Sequence, residues 1–382
     1  MMDGMQRVLV VKISDIGDCI GTLPAIRALR ATFPDAAIDA LVTPGARVVL
    51  EHEPAVSSIL TLAKEAFDSP RGLADAGALR DLARFGQSLR TRRYDAVVFF
   101  HHLTTPFGAL KYRALAFATG APIRAGLDNG RGSFLTHTSR DYGFGAKPEW
   151  AYWLDVAALL GATTDDTEPT FLVSAQAFAA ARVVIGDRTP YVALHPGVGP
   201  GIGAAGPVRQ WPLARLAAVG QALAADGYAL VITGGRDAVA RDAGVELLHH
   251  LGATPALDLT GTTDIATTAA IYAGAALYVS SDTGMAHLAA AVGAPSVIVF
   301  GPSNHHAWAP YAATECNPGA LDVPPGARVV VVRSTIPCSP CFYTGYTLGR
   351  PNGCPSRNCL TDVQASDVLV VASQLLDATL VS

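Results

Sequence analysis

Twice along this chain a short run of β-branched residues ends in a polar, glycine-bearing loop and passes into a helix, a rhythm that points to parallel α/β architecture. The first instance is a strand at Arg7–Ile13, a helix from about Thr22 with Pro24 in its first turn, and a strand at Ala37–Val42. Proline is tolerated there because a first-turn amide has no helical partner. Tyr94–Phe100 reads as another buried strand, ending in His101 and His102. The second instance opens with a strand at Tyr191–His195, a helix at Leu213–Asp226 and a strand at Tyr228–Thr233. It continues with helices at Thr263–Ala273 and Met285–Val292, alternating with strands at Ala276–Val279 and Ser296–Phe300. Two such arrays predict two Rossmann-like, doubly wound domains facing across a cleft, with ligands at the carboxyl ends of the strands.

A length of 382 residues suits two cores of ordinary size. The polar stretch Asp165–Ala175 is the expected junction, which divides the chain into 1–170 and 171–362, followed by a helix over 363–382 that packs back on the body. Gly197–Gly206 reads as a mobile glycine-rich loop. A net charge of −4 provides no general basic field for nucleic acid. The longest apolar stretches, Ile265–Ser281 and Met285–Phe300, are broken by Thr, Ser, Gly, His287 and Pro295, so neither reads as a membrane span. No long apolar leader follows the amino terminus, which predicts a cytoplasmic chain with reduced thiols.

Four loops hold residues suited to chemistry. After the first strand, which ends near Lys12, comes Ser14-Asp15-Ile16-Gly17-Asp18-Cys19-Ile20-Gly21-Thr22-Leu23-Pro24; its glycine spacing is not the dinucleotide fingerprint. Asp18 there either faces a ligand or caps the following helix. Ser281-Asp282-Thr283-Gly284-Met285-Ala286-His287 joins a strand to a helix, whose amides and dipole make a diphosphate seat. The same string also describes an ordinary cap with a core histidine. His195-Pro196-Gly197 precedes Arg209-Gln210-Trp211-Pro212, where Arg209 offers a phosphate-binding fork and Trp211 packs the helix start. In Thr233-Gly234-Gly235-Arg236-Asp237 the glycines admit a ligand near the backbone, and Asp237 can accept from ribose hydroxyls.

In this order the motifs S-x-x-G-D-x-x-x-T-L-P, H-P-G, R-x-W-P, T-G-G and D-T-G-x-x-H resemble glycosyltransferase family 9, the heptosyltransferases that use ADP-heptose. The resemblance runs from Arg7 to about Tyr311. It implies a GT-B fold, with acceptor on the first domain and nucleotide sugar on the second. It also implies inverting transfer of heptose to a lipopolysaccharide-core or related hydroxyl, with no cofactor needed for catalysis. Asp18 matches the family's catalytic aspartate, and Asp282, Thr283 and Gly284 its diphosphate site, with His287 following. Arg209 stands where the family has lysine, and Asp237 where a ribose-binding glutamate is more usual. Lys12, His101, His102 and Arg124 are the expected acceptor contacts, with Lys111 and Arg113 nearby. A protein hydroxyl is the alternative acceptor. A sugar-nucleotide epimerase and a non-catalytic metal-bound protein are the rival activities. The partners implied are a nucleotide sugar, the acceptor and, peripherally, the inner membrane.

The tail over 338–359 carries Cys338-Ser339-Pro340-Cys341 and Cys354-Pro355-Ser356-Arg357-Asn358-Cys359. Two close pairs suit tetrahedral thiolate binding of a structural zinc or iron, and four thiols without metal suit the sequence equally.

Overall fold

The computed structural model describes residues 4–63, 76–199 and 205–380. The Gly197–Gly206 loop therefore lies partly outside the described residues. The chain divides into two compact units, 1–169 with 345–347, and 170–344 with 348–382.

The first unit is built on six strands, β1 Arg7–Lys12, β2 Ala37–Val42, β3 Ser58–Thr61, β4 Ala96–Phe99, β5 Ile123–Asp128 and β6 His137–Arg140. All neighbours run parallel, in the order β3-β2-β1-β4-β5-β6. Helices α1 Ile16–Ile20 and α2 Leu23–Thr32 follow β1, α3 Ala76–Thr91 precedes β4, α4 Pro106–Thr119 joins β4 to β5, and α5 Glu149–Ala158 follows β6. Right-handed crossovers place α2 on one face of the sheet and α3 with α4 on the other. In keeping with that, α2 packs on α5 and α3 on α4. Val8–Val11 are all buried because helices cover both faces, which explains why β1 reads as an unbroken apolar run.

The second unit repeats the plan. Its strands are β7 Tyr191–His195, β8 Ala229–Ile232, β9 Ala256–Asp258, β10 Leu277–Ser281, β11 Ser296–Phe300, β12 Thr314–Cys316 and β13 Val329–Arg333, in the order β12-β13-β11-β10-β7-β8-β9. The helices are α6 Ala175–Ile185, α7 Ala205–Val208, α8 Leu213–Ala225, α9 Ala238–Leu251, α10 Ile265–Ala273, α11 Gly284–Ala291 and α12 His305–Trp308. A small hairpin, β14 Phe342–Thr344 and β15 Thr347–Gly349, leads to α13 Asn358–Thr361 and α14 Ala365–Leu380. The last helix packs on α8 and β11, and its Val368, Val371, Ala372 and Leu375 join the core beneath β7, β10 and β11. Among the described residues no helix is long and apolar enough to cross a membrane.

Leu360 on α13 packs onto the backbone at Gly301, just after β11. A Cβ at Gly301 would stand 2.5 Å from two Leu360 side-chain carbons. Gly301→Ala is therefore expected to overpack the seam and destabilise the second unit by about 1–3 kcal/mol, measurable by urea denaturation. Leu360→Ala in the same background should recover part of that loss.

Candidate active site

In each unit the strand order reverses at one place, between β1 and β4 in the first and between β7 and β10 in the second. Loops leaving the carboxyl ends there splay apart and open a crevice for ligands.

Lys12, the last residue of β1, is buried, with its Nζ 4.3 Å from the centroid of the Trp153 ring and 3.7 Å from Asp18 Oδ1. Asp18 lies inside α1, a helix of five residues that the spacing did not predict. The N-cap of α1 is Asp15 and that of α2 is Thr22, so the capping role open to Asp18 in the sequence is ruled out by its position. The loop in front of Asp18 is pinned from two sides. Ile13 N donates to His101 Nε2 at 2.8 Å, and Thr43 Oγ1 donates to the Ser14 carbonyl at 2.8 Å. Burial, and then the Lys12 charge, hold His101 well below the usual imidazole range, so it stays neutral and keeps Nε2 as an acceptor. Cys19, next to Asp18, is fully buried and its thiol is pushed up to about 12, first by burial.

His102 lies behind this loop. Its Nε2 is 3.0 Å from Glu149 Oε1 and its Nδ1 is 3.0 Å from Asp141 Oδ1. Both carboxylates thus flank the imidazole at ion-pairing distance. Burial lowers the imidazole pKa, but Glu149 and then Asp141 outweigh it and leave His102 at about 9. Asp141 is fixed in turn by Gly143 N at 2.8 Å and Asn129 Nδ2 at 2.9 Å. The Trp153 ring centroid lies 5.6 Å from that of His102, which places this buried cation and Lys12 against one indole. Sequence reasoning missed Trp153, Asp141 and Glu149, because no local spacing links them to His102 or Lys12.

A histidine raised to about 9 stabilises the fold fully below the ordinary value near 6.5, and the contribution is lost as pH rises through 9. The amount is on the order of 3 kcal/mol. Wild-type protein should lose melting temperature between about pH 7 and 10, and His102→Gln should start lower and lack that component. Equal slopes for the two proteins would show that His102 is not charged.

The other expected acceptor contacts fare differently. The His101 and His102 rings make their hydrogen bonds within the unit. Arg124 lies near the start of β5, at the opposite end of the sheet from Asp18. Its guanidinium donates to the Phe134 and Ala121 carbonyls at 2.6 and 3.1 Å. Of the four expected acceptor residues, Lys12 stands 3.7 Å from Asp18.

In the second unit β10 delivers Asp282, and α11 opens directly after it. Thr283 is the N-cap, its Oγ1 accepting from Met285 N at 3.2 Å, so the cap is Thr283 and not Asp282. Asp282, buried, has its Oδ2 3.5 Å from Arg209 Nη1, while Arg209 Nη2 donates to the Val198 carbonyl at 3.0 Å. Next to Arg209, Trp211 N donates to Ser281 Oγ at 2.8 Å and Trp211 Nε1 to the Val363 carbonyl at 3.1 Å. This agrees with the packing role read for Trp211 and locks the Arg209 loop to the end of β10. His287, half-buried one turn into α11, is lowered first by burial, against the pull of Asp282, and bonds the Trp308 backbone.

At the end of β7, burial holds His195 at about 4, so it is neutral, with Nδ1 3.0 Å from Thr233 Oγ1. Thr233 Oγ1 in turn lies 2.8 Å from the Tyr272 hydroxyl. His195 and Thr233 of the two motifs are thus parts of one buried network below the crevice. Asp237 is exposed and is the N-cap of α9, its Oδ1 accepting from Ala240 N at 3.0 Å. Gly234 serves packing: a Cβ there would come within 2.8 Å of Thr260 Cγ2. The ribose role expected for Asp237 thus falls on a carboxylate already committed through one oxygen.

Among the described residues no group of three or more His, Cys, Asp or Glu side chains is placed to hold a metal. Cys338 is exposed, Cys341 and Cys354 are half-buried, and Cys359 is buried on α13 among the core residues. Burial first, and then the charges of Cys341, Cys354 and Cys338, push the Cys359 thiol up to about 11. The expectation of a structural zinc or iron on Cys338, Cys341, Cys354 and Cys359 is thus not supported.

Known proteins bear on this geometry. The family profile described as "Glycosyltransferase family 9 (heptosyltransferase)" matches residues 82–349. Lipopolysaccharide heptosyltransferase 2 of Escherichia coli (strain K12) is 26% identical over 317 residues, covering 78% of this chain and 84% of that protein. Lipopolysaccharide heptosyltransferase 1 of Pseudomonas aeruginosa is 26% identical over 345 residues, covering 88% and 86%. The solved structure of E. coli ADP-heptose lps heptosyltransferase II superposes with a TM-score of 0.69 at 22% identity, over 98% of this chain and 99% of that one. That likeness carries the fold, an α/β arrangement of the GT-B class. With the profile spanning well over half its length, this chain belongs to glycosyltransferase family 9, the heptosyltransferases, and is a glycosyltransferase.

Proposed function

We propose that this enzyme transfers heptose from ADP-heptose to a hydroxyl of lipopolysaccharide core, with inversion at the anomeric carbon. The reading rests on the setting of Asp18. It is a carboxylate just past β1, released from capping and held beside a buried ammonium at the first unit's switch point.

In this reading the first unit holds the acceptor and the second the nucleotide sugar. Asp18 takes the proton from the acceptor hydroxyl as its oxygen attacks the anomeric carbon. The bond from that carbon to the diphosphate oxygen breaks, and the electron pair leaves with ADP. Charge growing on the diphosphate is met by the Arg209 guanidinium and by the amides at Thr283 and Gly284, where α11 opens. Asp282 orients Arg209, and His287 lines the same helix start. The transfer needs no cofactor. Lys12 steadies Asp18 and offers a positive charge toward an anionic sugar.

Incubation with ADP-heptose and a lipopolysaccharide inner-core acceptor should release ADP and add one heptose mass to the acceptor. Donor alone should release ADP slowly, and protein hydroxyl acceptors offered in parallel should gain no mass. If the enzyme neither binds ADP-heptose nor transfers from it to the core acceptor, the reading fails.

A further inference from the structure

The outer face of α3 and α4 carries charge and apolar surface in an unusual combination. Arg80, Arg84 and Arg90 on α3 and Arg113 on α4 are exposed, with Arg84 ion-paired to Asp81 at 3.2 Å, in a chain whose net charge is −4. On α4, Leu110, Ala114 and Phe117 recur at helical spacing on one exposed stripe, with Leu110 60% and Phe117 51% exposed. On the neighbouring α3, Leu79, Arg80, Ala83 and Arg84 are exposed. The two helices are tied by Arg90 Nη1, which donates to the Phe117 carbonyl at 3.2 Å. Phe117 is also ringed by guanidiniums: those of Arg113 and Arg124 lie 5.8 and 5.4 Å from its centroid. At the other end of α4, Lys111 Nζ lies 5.3 Å from the Phe107 ring.

Large apolar side chains left in water among cations are poorly placed for ordinary solvation, but they match the boundary of an anionic bilayer. There aromatic and aliphatic groups enter the acyl edge, and Arg and Lys meet the phosphates. Guanidiniums suit that position because they are weakly hydrated and bind phosphate through two donors. A second copy of this chain is a poorer occupant, since a two-fold contact would set these arginines against one another.

We propose that the α3–α4 face docks the enzyme on the surface of an anionic phospholipid membrane. The inference rests on the lipid-linked acceptor proposed above for its purpose, since docking would bring the enzyme to its acceptor. Its test is separate. The full chain is sedimented with vesicles of phosphatidylcholine alone or mixed with phosphatidylglycerol, at low and high salt. Wild-type protein should partition onto the mixed vesicles on the order of tenfold more strongly than onto neutral ones, with salt weakening the binding. The double variants Leu110→Ser/Phe117→Ser and Arg80→Glu/Arg84→Glu should each lose on the order of tenfold of that partition. Both should keep wild-type melting and wild-type transfer onto a delipidated, soluble acceptor. Absence of binding to anionic vesicles, equal binding to neutral ones, or unchanged binding by a folded variant overturns the proposal. So does sedimentation velocity showing a dimer that Phe117→Ser dissociates while vesicle binding is absent. Failure of wild-type protein to transfer onto the soluble acceptor would count against the heptosyltransferase reading instead.

Discussion

Asp18→Asn is expected to lower kcat by about a thousandfold while leaving ADP affinity unchanged, because the substitution keeps shape and removes the proton acceptor. The carboxylate lies in a five-residue helix with Lys12 3.7 Å away, and neither neighbouring cap depends on it. The fold should therefore tolerate the amide, and melting should move little. Single-turnover transfer and calorimetric ADP binding on the same preparation separate chemistry from binding. Asp18→Ala should behave similarly, since shape matters less than the missing base. Near-normal turnover in either variant would remove Asp18 from the mechanism and leave proton transfer to solvent or to another group.

Arg209→Ala is expected to cost about 10²- to 10³-fold in kcat/KM, with ADP bound more weakly as well. The guanidinium is preorganised: Val198 and Asp282 hold two of its nitrogens, and the next residues are tied to Ser281 and Val363. Truncation also takes a cation from beside buried Asp282, so part of the loss reflects a displaced carboxylate. Arg209→Lys separates the effects, because it keeps the charge without the planar fork. The lysine variant should recover much of the ADP affinity and less of the rate. Equal ADP affinity in wild type and Arg209→Ala would place the diphosphate elsewhere.

The parts of the fold legible in sequence were those with dense local signals. β1 and β7 announce themselves because both faces are covered and nearly every residue is apolar. The helix start at Thr283 was legible because strand, short polar residues and glycine stand in immediate succession. Helix α1 escaped because a single turn has no room for periodicity, and the position of Asp18 followed from that helix alone. The partners of His102 escaped for another reason: Asp141 and Glu149 reach it through the fold and not along the chain. The same limit applies to Arg124, whose identity is readable but whose end of the strand depends on register. The Cys pairs show the opposite hazard, since their suggestive spacing is not matched by a metal-holding group among the described residues.

Helix α1 is too short to be stable alone, since nucleating a turn costs more than five residues return. The proposed base consequently inherits its position from scaffolding: the His101 ring, the Thr43 hydroxyl and the Cys19 packing around it. Evolution can retune the rate of this enzyme at residues that never touch a sugar, and directed screens confined to the crevice would overlook them.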